Sequence, residues 1–114
     1  MKLTEEVLAG GITRISLDGR LDIDGTHAID QQFSYLTTAR QGWYAVDLSR
    51  VSFIASIGIR ILLTAARAQA NRGGKLVLVG PDPMGRKVLE TAGVDQLVPI
   101  AADLDGARGL LAAA

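Results

Sequence analysis

The residue best placed for chemistry is Ser56, which follows an apolar strand and begins a predicted helix. A helix N-terminus exposes unpaired backbone N–H groups and carries about half a positive charge, so it favours anions. A serine in that position either caps the helix with its hydroxyl or carries a group that prefers positive potential, such as phosphate. The residue types around Ser56 leave these two interpretations open.

Other residues that serve catalysis or metal binding are sparse in this chain. It has no cysteine and a single histidine, His27, which lies in a predicted first helical turn and is expected at the surface. Asp47 interrupts an apolar strand and is expected to accept hydrogen bonds from backbone N–H groups. A hydrolase nucleophile elbow would need glycine where Ile54 stands, and the sequence contains no phosphate-binding glycine loop. We therefore predict a non-enzyme with no cofactor and no metal.

Composition limits the class of protein and of partner. The 114 residues include 12 basic and 12 acidic ones, so the chain lacks the net positive charge typical of proteins that bind nucleic acid or anionic membranes directly. Hydrophobic residues make up 48% and aromatic residues 4%, which favours an aliphatic core in a layered α/β domain. The apolar stretch 51–66 is interrupted by Arg60 and is shorter than a membrane span of about 20 residues. We expect a single soluble, cytoplasmic domain over residues 1–114, without membrane insertion.

The elements that would position Ser56 alternate between strands and helices. Strands are predicted at 2–8, 12–18, 43–48, 75–80 and, as a short edge strand, 97–100. Helices are predicted at 26–41, from residue 56 to a stop at Gly73, from residue 83 up to Gly93, and at 103–113. This order predicts a single-layer, mixed and mostly parallel sheet of four to five strands with about four helices. Contacts with ligands or partners should gather at the carboxyl ends of the strands, where both Asp22 and Ser56 fall.

Helical periodicity assigns the faces of two predicted helices. In the helix that begins at Ser56, one face carries Ile59, Leu62, Leu63, Ala66 and Ala70, and the opposite face carries Arg60, Thr64, Arg67 and Asn71. In the last helix, the residues expected to point inward are Leu104, Ala107, Leu110 and Leu111. The apolar faces should pack on the sheet, and the polar face should be solvated.

Taken in order, short motifs of this sequence resemble those of STAS domains, the fold of the bacterial anti-sigma factor antagonists that act by partner switching. The resemblance covers nearly the whole chain. It is carried by residues 19–22 (GRLD), 46–49 (VDLS), 51–54 (VSFI), 56–58 (SIG), 72–76 (RGGKL) and 89–94 (LETAGV).

The resemblance also implies a function for the start of the second helix. In that family the helix begins with Asp-Ser-Ser-Gly, and its first serine is phosphorylated by a partner that is both a serine kinase and an anti-sigma factor. Ser56 takes the place of the phosphorylated serine, whereas Ala55 and Ile57 replace the acidic residue and the second serine. The chain is thus expected to bind a kinase-type anti-sigma factor when unphosphorylated and to release it when Ser56 is phosphorylated. The implied partner-binding residues are Asp22, Ala55, Ser56, Ile57, Gly58 and Arg60.

A second hypothesis within the same family is a non-phosphorylated subunit, similar to the STAS proteins that attach to the ATPase of a bacterial lipid-transport ABC system. Ala55 and Ile57 favour it, because the carboxylate beside the hydroxyl is lost. Ser56 itself, and the polar helix face formed by Arg60 and Thr64, favour the switch. The sequence leaves open which sigma factor is controlled, whether a nucleotide binds weakly and whether the chain forms a weak homodimer.

Overall fold

A computed structural model describes residues 1–112 of the chain. Within them lie five strands and four α-helices, and a 3₁₀ turn at Val94–Gln96 separates the third helix from the last strand. The elements in chain order are β1 (Lys2–Val7), β2 (Ile12–Leu21), α1 (Ile23–Thr38), β3 (Trp43–Ile54), α2 (Ser56–Asn71), β4 (Lys75–Val79), α3 (Pro83–Thr91), β5 (Ile100–Ala101) and α4 (Leu104–Ala112). The predicted α/β fold is confirmed.

The strands form one sheet in the order β1-β2-β3-β4-β5. The pair β1–β2 is an antiparallel hairpin, and its turn contains Gly10 and Gly11, both with positive φ, a conformation that glycine adopts without steric cost. The remaining neighbours are parallel. Because β2, β3 and β4 run in the same direction, their carboxyl ends and the helices that follow them meet at one edge of the sheet.

Helices cover the sheet unequally on its two faces. The larger core lies between the sheet and α1, α2 and α3, and the smaller core lies under α4, on the face opposite. The first core includes Ile15, Leu17, Leu21, Phe33, Val46, Leu48, Leu62, Leu78 and Leu89. The second includes Ile12, Ala45, Val77, Val79, Ala101, Ala107 and Leu111. Both cores are mainly aliphatic, as the composition predicts.

Several predicted boundaries differ from the observed ones. Strands β2 and β3 end at Leu21 and Ile54, beyond the predicted ends at 18 and 48, because two register shifts between them, each with an extra residue on β3, disturb the alternation of apolar residues. The predicted strand at 97–100 is only Ile100–Ala101, since a turn and a bend at residues 97 and 98 follow the 3₁₀ segment. Helix α1 begins three residues earlier than predicted and ends at Thr38. Residue 113, the predicted end of the last helix, lies outside the described residues.

The predicted inward faces are partly wrong. Ala70 and Leu110 are exposed, whereas the buried residues of α2 are Gly58, Ile61, Leu62, Ala65 and Gln69. Helix α2 packs against both α1 and the sheet, so its buried stripe is rotated relative to the line of most hydrophobic residues. Ile59, Leu63 and Ala66 lie on the flank of that stripe and are half-buried.

Gln69 is buried because it satisfies backbone groups at the end of α1. Its side-chain Nε2 donates to the carbonyl oxygens of Thr37 and, at 3.0 Å, of Arg40, and its Oε1 accepts from the N–H of Gly42 at 3.0 Å. The last carbonyls of a helix have no intrahelical donor, and Gln69 supplies one from a neighbouring helix. This single side chain therefore joins α2 to the connection between α1 and β3.

We predict that Gln69→Ala lowers the free energy of unfolding by about 2–3 kcal/mol, because the variant leaves several buried backbone groups without partners. Urea denaturation followed by circular dichroism measures this change. The matched control is Gln32→Ala, a change on the exposed side of α1 that should stay within about 0.5 kcal/mol of the original chain. Equal stability of the two variants would contradict the role given to Gln69.

Candidate functional site

The candidate site lies where β2 and β3 end side by side. Leu21 and Ile54 are partners in the parallel register, and the N–H of Ala55 donates to the Leu21 carbonyl oxygen at 2.9 Å. The residues that follow these strands, Asp22 and Ser56, therefore emerge at the same edge of the sheet. The predicted placement of both residues at the carboxyl ends of adjacent strands is confirmed.

Gly58 sets how closely α2 approaches the end of β2. It is buried, and a Cβ built on it would lie 2.9 Å from the Leu21 Cβ and 3.1 Å from the Leu21 carbonyl oxygen. Any larger residue would push the first turn of α2 away from β2. The glycine thus holds the start of α2 beside the start of α1.

Ser56 is exposed and is the first residue inside α2. The N-cap position belongs to Ala55, which has extended backbone angles of φ −95° and ψ 171° and whose carbonyl accepts the first intrahelical hydrogen bond, from Ile59. The interpretation of Ser56 as the capping residue is therefore wrong by one position. Its hydroxyl faces solvent at the positive end of the helix.

Three of the four helix starts within residues 1–112 share a capping pattern that α2 lacks. Helices α1, α3 and α4 are preceded by an aspartate whose Oδ1 accepts from the N–H of a glycine three residues later, at 2.7–2.8 Å. Helix α2 has the glycine, Gly58, but alanine in place of the aspartate. Alanine offers no side-chain acceptor, so the leading N–H groups of α2 keep their capacity to bind an anion. The aligned motifs are Asp22-Ile-Asp-Gly25, Ala55-Ser-Ile-Gly58, Asp82-Pro-Met-Gly85 and Asp103-Leu-Asp-Gly106.

Asp22 is held in place by two interactions beside Ser56. Its Oδ1 accepts from the Gly25 N–H at 2.8 Å, and its Oδ2 accepts from Arg20 Nε at 3.3 Å. The Gly25 hydrogen bond, and to a smaller degree Arg20, lower the pKa of the Asp22 carboxyl from its ordinary value of 3.8. Arg20 in turn stacks on the ring of Phe53, with its guanidinium carbon 4.5 Å from the ring centroid.

Exposed apolar side chains surround these polar groups. Ile23 is 65% exposed at the start of α1, Phe53 is 43% exposed near the end of β3, and Met84 is 74% exposed at the start of α3. All three lie at the edge of the sheet where Ser56 lies. Large exposed apolar residues that gather at one edge are typical of a protein-binding surface. None of these three residues is among the sequence-predicted site residues, although Ile23 and Met84 each carry a signal, since an apolar side chain in a first helical turn often has no core to face.

An open groove of about 430 Å³ continues this surface between α2 and α3. Its lining residues are Ile59, Met84, Lys87, Val88, Thr91 and Ala92. Of the sequence-predicted site residues near it, Ile57 is half-buried and Arg60 is exposed. The predicted residues Asp22, Ala55, Ser56, Ile57, Gly58 and Arg60 thus come from two adjacent segments, with Gly58 placed inward as a packing residue.

The remaining polar residues of interest lie elsewhere. Asp47 Oδ1 accepts from the N–H of Ser49 at 2.9 Å, which confirms the predicted backbone hydrogen bond. His27 is exposed on α1, as predicted. Across the described part of the chain, no cluster of three or more histidine, cysteine, aspartate or glutamate side chains has the arrangement of a metal site. No helix in residues 1–112 is both long and apolar enough to cross a membrane.

The mixed five-stranded sheet with four helices, and the exposed Ser56 at a helix start near the N-cap residue Asp22, agree with a STAS domain. The family model STAS_2, described as "Mlab, STAS domain", matches residues 6–99, and the chain belongs to this family.

Individual proteins are similar to the chain along nearly its whole length. BtrV of Bordetella bronchiseptica, a protein assigned as an anti-sigma factor antagonist, is 27% identical over 101 residues, which cover 89% of this chain and 86% of BtrV. The crystal structure of an anti-sigma factor antagonist from Mycobacterium paratuberculosis has a TM-score of 0.83 at 24% identity and covers 97% of this chain and 95% of its own.

The anti-sigma factor antagonist SpoIIAA is similar in two states. Its unphosphorylated form has a TM-score of 0.76 at 26% identity, covering 99% of this chain and 98% of its own. Its phosphorylated form has a TM-score of 0.67 at 22% identity, covering 96% of this chain and 99% of its own.

We predict that Ala55→Asp raises the free energy of unfolding by about 1 kcal/mol, because the new carboxylate caps α2 as aspartate caps the other helices. The backbone at Ala55 already resembles that of the aspartate caps, with φ −90° and ψ −170° at Asp22. Urea denaturation measures the gain. Ala70→Asp, an exposed change near the other end of α2, is the matched control and should be slightly destabilising. A loss of stability in Ala55→Asp would refute the open-cap description.

We predict that the Asp22 carboxyl titrates below 3.8 and that Arg20→Ala moves its pKa part of the way back, because the Gly25 hydrogen bond persists. When folding lowers the pKa of a carboxyl group, the ionised group stabilises the folded state at pH values above the ordinary pKa. This stabilisation is lost as the pH falls through the pKa of the folded state. NMR titration of the carboxyl carbon gives both values. Arg50→Ala, which removes the partner of Asp18 instead, should leave the Asp22 titration unchanged.

Proposed function

We propose that this chain acts as one STAS domain with the function of an anti-sigma factor antagonist in the cytoplasm. It binds a kinase-type anti-sigma factor when Ser56 is unphosphorylated and releases it when Ser56 is phosphorylated. In this role it is a binding protein whose partner carries the catalytic activity. Asp22, Ala55, Ser56, Ile57 and Arg60 form or adjoin the contact surface, and Gly58 holds the start of α2 in position.

The observation that carries the proposal is the position of Ser56 at the start of α2. The side chain is exposed, is not engaged as a helix cap, and lies at the same edge of the sheet as the exposed apolar residues Ile23, Phe53 and Met84. A kinase can reach such a hydroxyl without unfolding the domain. The similarity to SpoIIAA, known in unphosphorylated and phosphorylated forms, supports the same modification here.

Phosphorylation can release a partner through local electrostatics. A phosphate adds about −1.5 to −2 charges at neutral pH, and burying it against a protein surface without compensating partners is costly. A hundredfold loss of affinity needs only about 2.7 kcal/mol. This is small enough for charge and desolvation at one residue to supply, so the fold need not change.

Ala55 makes the start of α2 better suited to hold a phosphate. A carboxylate at the cap would repel the phosphate and compete with it for the N–H of Gly58, as Asp22 and Asp82 already bind the corresponding glycines of their helices. With alanine there, both the helix dipole and the free N–H groups act on the phosphate. The departure from the family's acidic residue therefore agrees with a phosphorylated Ser56.

The second candidate function is a non-phosphorylated STAS subunit that binds a transporter ATPase. The matching family model is described as "Mlab, STAS domain" and does not refer to anti-sigma factors. Ala55 and Ile57, in place of the acidic residue and second serine, also agree with a surface that only docks. Both candidates use the same edge of the sheet, and they differ in the partner and in the modification of Ser56.

We predict that Ser56→Asp lowers affinity for the partner at least about a hundredfold while the free energy of unfolding changes by less than about 1 kcal/mol. Calorimetry with the purified partner measures binding, and urea denaturation measures stability. Ser52→Asp is the matched control, since Ser52 is also exposed but lies within β3. Unchanged binding by Ser56→Asp would remove Ser56 from the switch.

Affinity purification of the chain followed by mass spectrometry separates the two candidate functions. Recovery of a small histidine-kinase-like ATPase supports the antagonist, and recovery of a transporter ATPase supports the docking subunit. Incubation of the recovered kinase with ATP should phosphorylate the original chain and the Ser52→Ala variant but not Ser56→Ala. A label that persists in Ser56→Ala would place the modification elsewhere.

A further inference from the structure

Strand β1 lies at an edge of the sheet, where its inner side pairs with β2. Its six residues, Lys-Leu-Thr-Glu-Glu-Val, are mostly exposed. An edge strand presents backbone donors and acceptors that another strand can pair with. We propose that two copies of this chain associate through their β1 strands, which pair antiparallel about a twofold axis at Thr4. This surface is separate from Ser56, so the proposal does not rest on the function proposed above.

The hydrogen bonds of the hairpin determine which backbone groups of β1 face outward. The N–H of Leu8 donates to the carbonyl oxygen of Ile12 at 2.7 Å, and Leu8 and Ile12 continue the β1–β2 register. In an antiparallel ladder, hydrogen-bonded pairs alternate with non-hydrogen-bonded pairs. The even-numbered residues of β1 therefore bond to β2, and the backbone groups of Leu3, Glu5 and Val7 are directed away from it.

The alternation of outward-directed and β2-directed backbone groups restricts how two β1 strands can pair. Outward groups must meet outward groups, so odd-numbered residues must face odd-numbered residues across the twofold axis. With the axis at Thr4, Leu3 faces Glu5 of the partner subunit in a hydrogen-bonded pair. With the axis at Glu5, two copies of Glu5 would face each other, and like charges directly opposite are destabilising.

Charge complementarity supports the axis at Thr4. In that register Lys2 lies opposite Glu6 of the partner subunit, and the symmetry repeats the pair. These are non-hydrogen-bonded pairs, in which side chains approach most closely. Glu6 Oε1 already accepts from Arg14 at 2.6 Å, and its Oε2 remains for the lysine of the second copy. Each interface would then join Arg14, Glu6 and a lysine in one network on each side of the axis.

The faces of β1 leave room for a second copy. Lys2 and Thr4 lie on an open polar part of the sheet with Ser16, Asp18 and Arg50, whereas α4 packs over β3, β4 and β5. On the other face, Val7 is 74% exposed and would lie opposite Met1 of the partner subunit. The pairing therefore buries an exposed apolar side chain and joins the two sheets into one.

The test is sedimentation equilibrium of the full chain from micromolar to millimolar concentration, combined with amide hydrogen exchange by NMR. We expect a reversible monomer–dimer equilibrium, in which the amides of Leu3, Glu5 and Val7 gain protection as the concentration rises. The amides of Thr4 and Glu6, which bond to β2, should be protected at every concentration. A chain that stays monomeric throughout, or a dimer without the odd-residue protection, would overturn the proposal.

Proline substitution separates backbone pairing from other contacts. Glu5→Pro removes an outward N–H that β2 does not use, and edge strands tolerate proline. It should abolish the dimer and leave the monomer folded by circular dichroism. Glu5→Ala, the matched control, keeps the N–H and should keep the dimer. Dimerisation of Glu5→Pro with the original affinity would reject pairing through β1.

Charge reversal tests the register. Lys2→Glu places two glutamates opposite each other and Glu6→Lys places two lysines opposite each other, so each variant should weaken its own dimer about tenfold. Mixed together, the two variants should form a heterodimer about tenfold tighter than either homodimer, because every pair is again opposite in charge. Within one chain Lys2 lies opposite Asp18 and Glu6 lies opposite Arg14, so urea denaturation of each variant is measured beside its dimerisation to separate monomer stability from pairing. No preference for the heterodimer would exclude the axis at Thr4.

Discussion

The close contact between the first turn of α2 and the end of β2 is the constraint on which the rest of the site depends. Gly58 permits this contact because it has no Cβ to meet Leu21, and the hydrogen bond from Ala55 to Leu21 fixes the chain as it leaves β3. Two segments more than thirty residues apart are thereby brought together. The parallel register of β2 and β3 places Asp22 and Ser56 at one edge of the sheet, and this contact holds the start of α2 there.

The distribution of carboxylates at the helix starts gives this surface its electrostatic character. Three helices are preceded by an aspartate that accepts a hydrogen bond from the N–H of the third helical residue. The carboxylate of that aspartate offsets much of the positive potential at the start of its helix. At α2 the alanine leaves that potential available to solvent and to any group attached to Ser56. A serine at an uncapped helix start suits a reversible negative charge better than a serine that must itself cap the helix.

The molecule thus has two surfaces of different chemistry. The edge formed by the carboxyl ends of β2, β3 and β4 combines the exposed Ser56 hydroxyl with exposed apolar side chains, which is typical of a protein-binding surface. The outer edge of β1 offers backbone groups flanked by a lysine at one end and two glutamates near the other, and it suits a second copy of the chain in antiparallel orientation. Because different strands form the two surfaces, binding at one need not block the other.

The sequence by itself determined the order of strands and helices and the position of Ser56 at a helix start, since periodicity, caps and glycine stops act over only a few neighbouring residues. The cap of α3 also follows from the local sequence, since Asp82 stands before a proline at the first helical position and three residues before Gly85. The tertiary structure decided that Gln69 is buried and Ala70 exposed, because Gln69 binds groups 27 to 32 residues away. It also decided that Ala55 rather than Ser56 is the cap, and that Ile23, Phe53 and Met84 share one surface. Those outcomes depend on which segments pack together, and packing between distant segments leaves no local pattern in the chain.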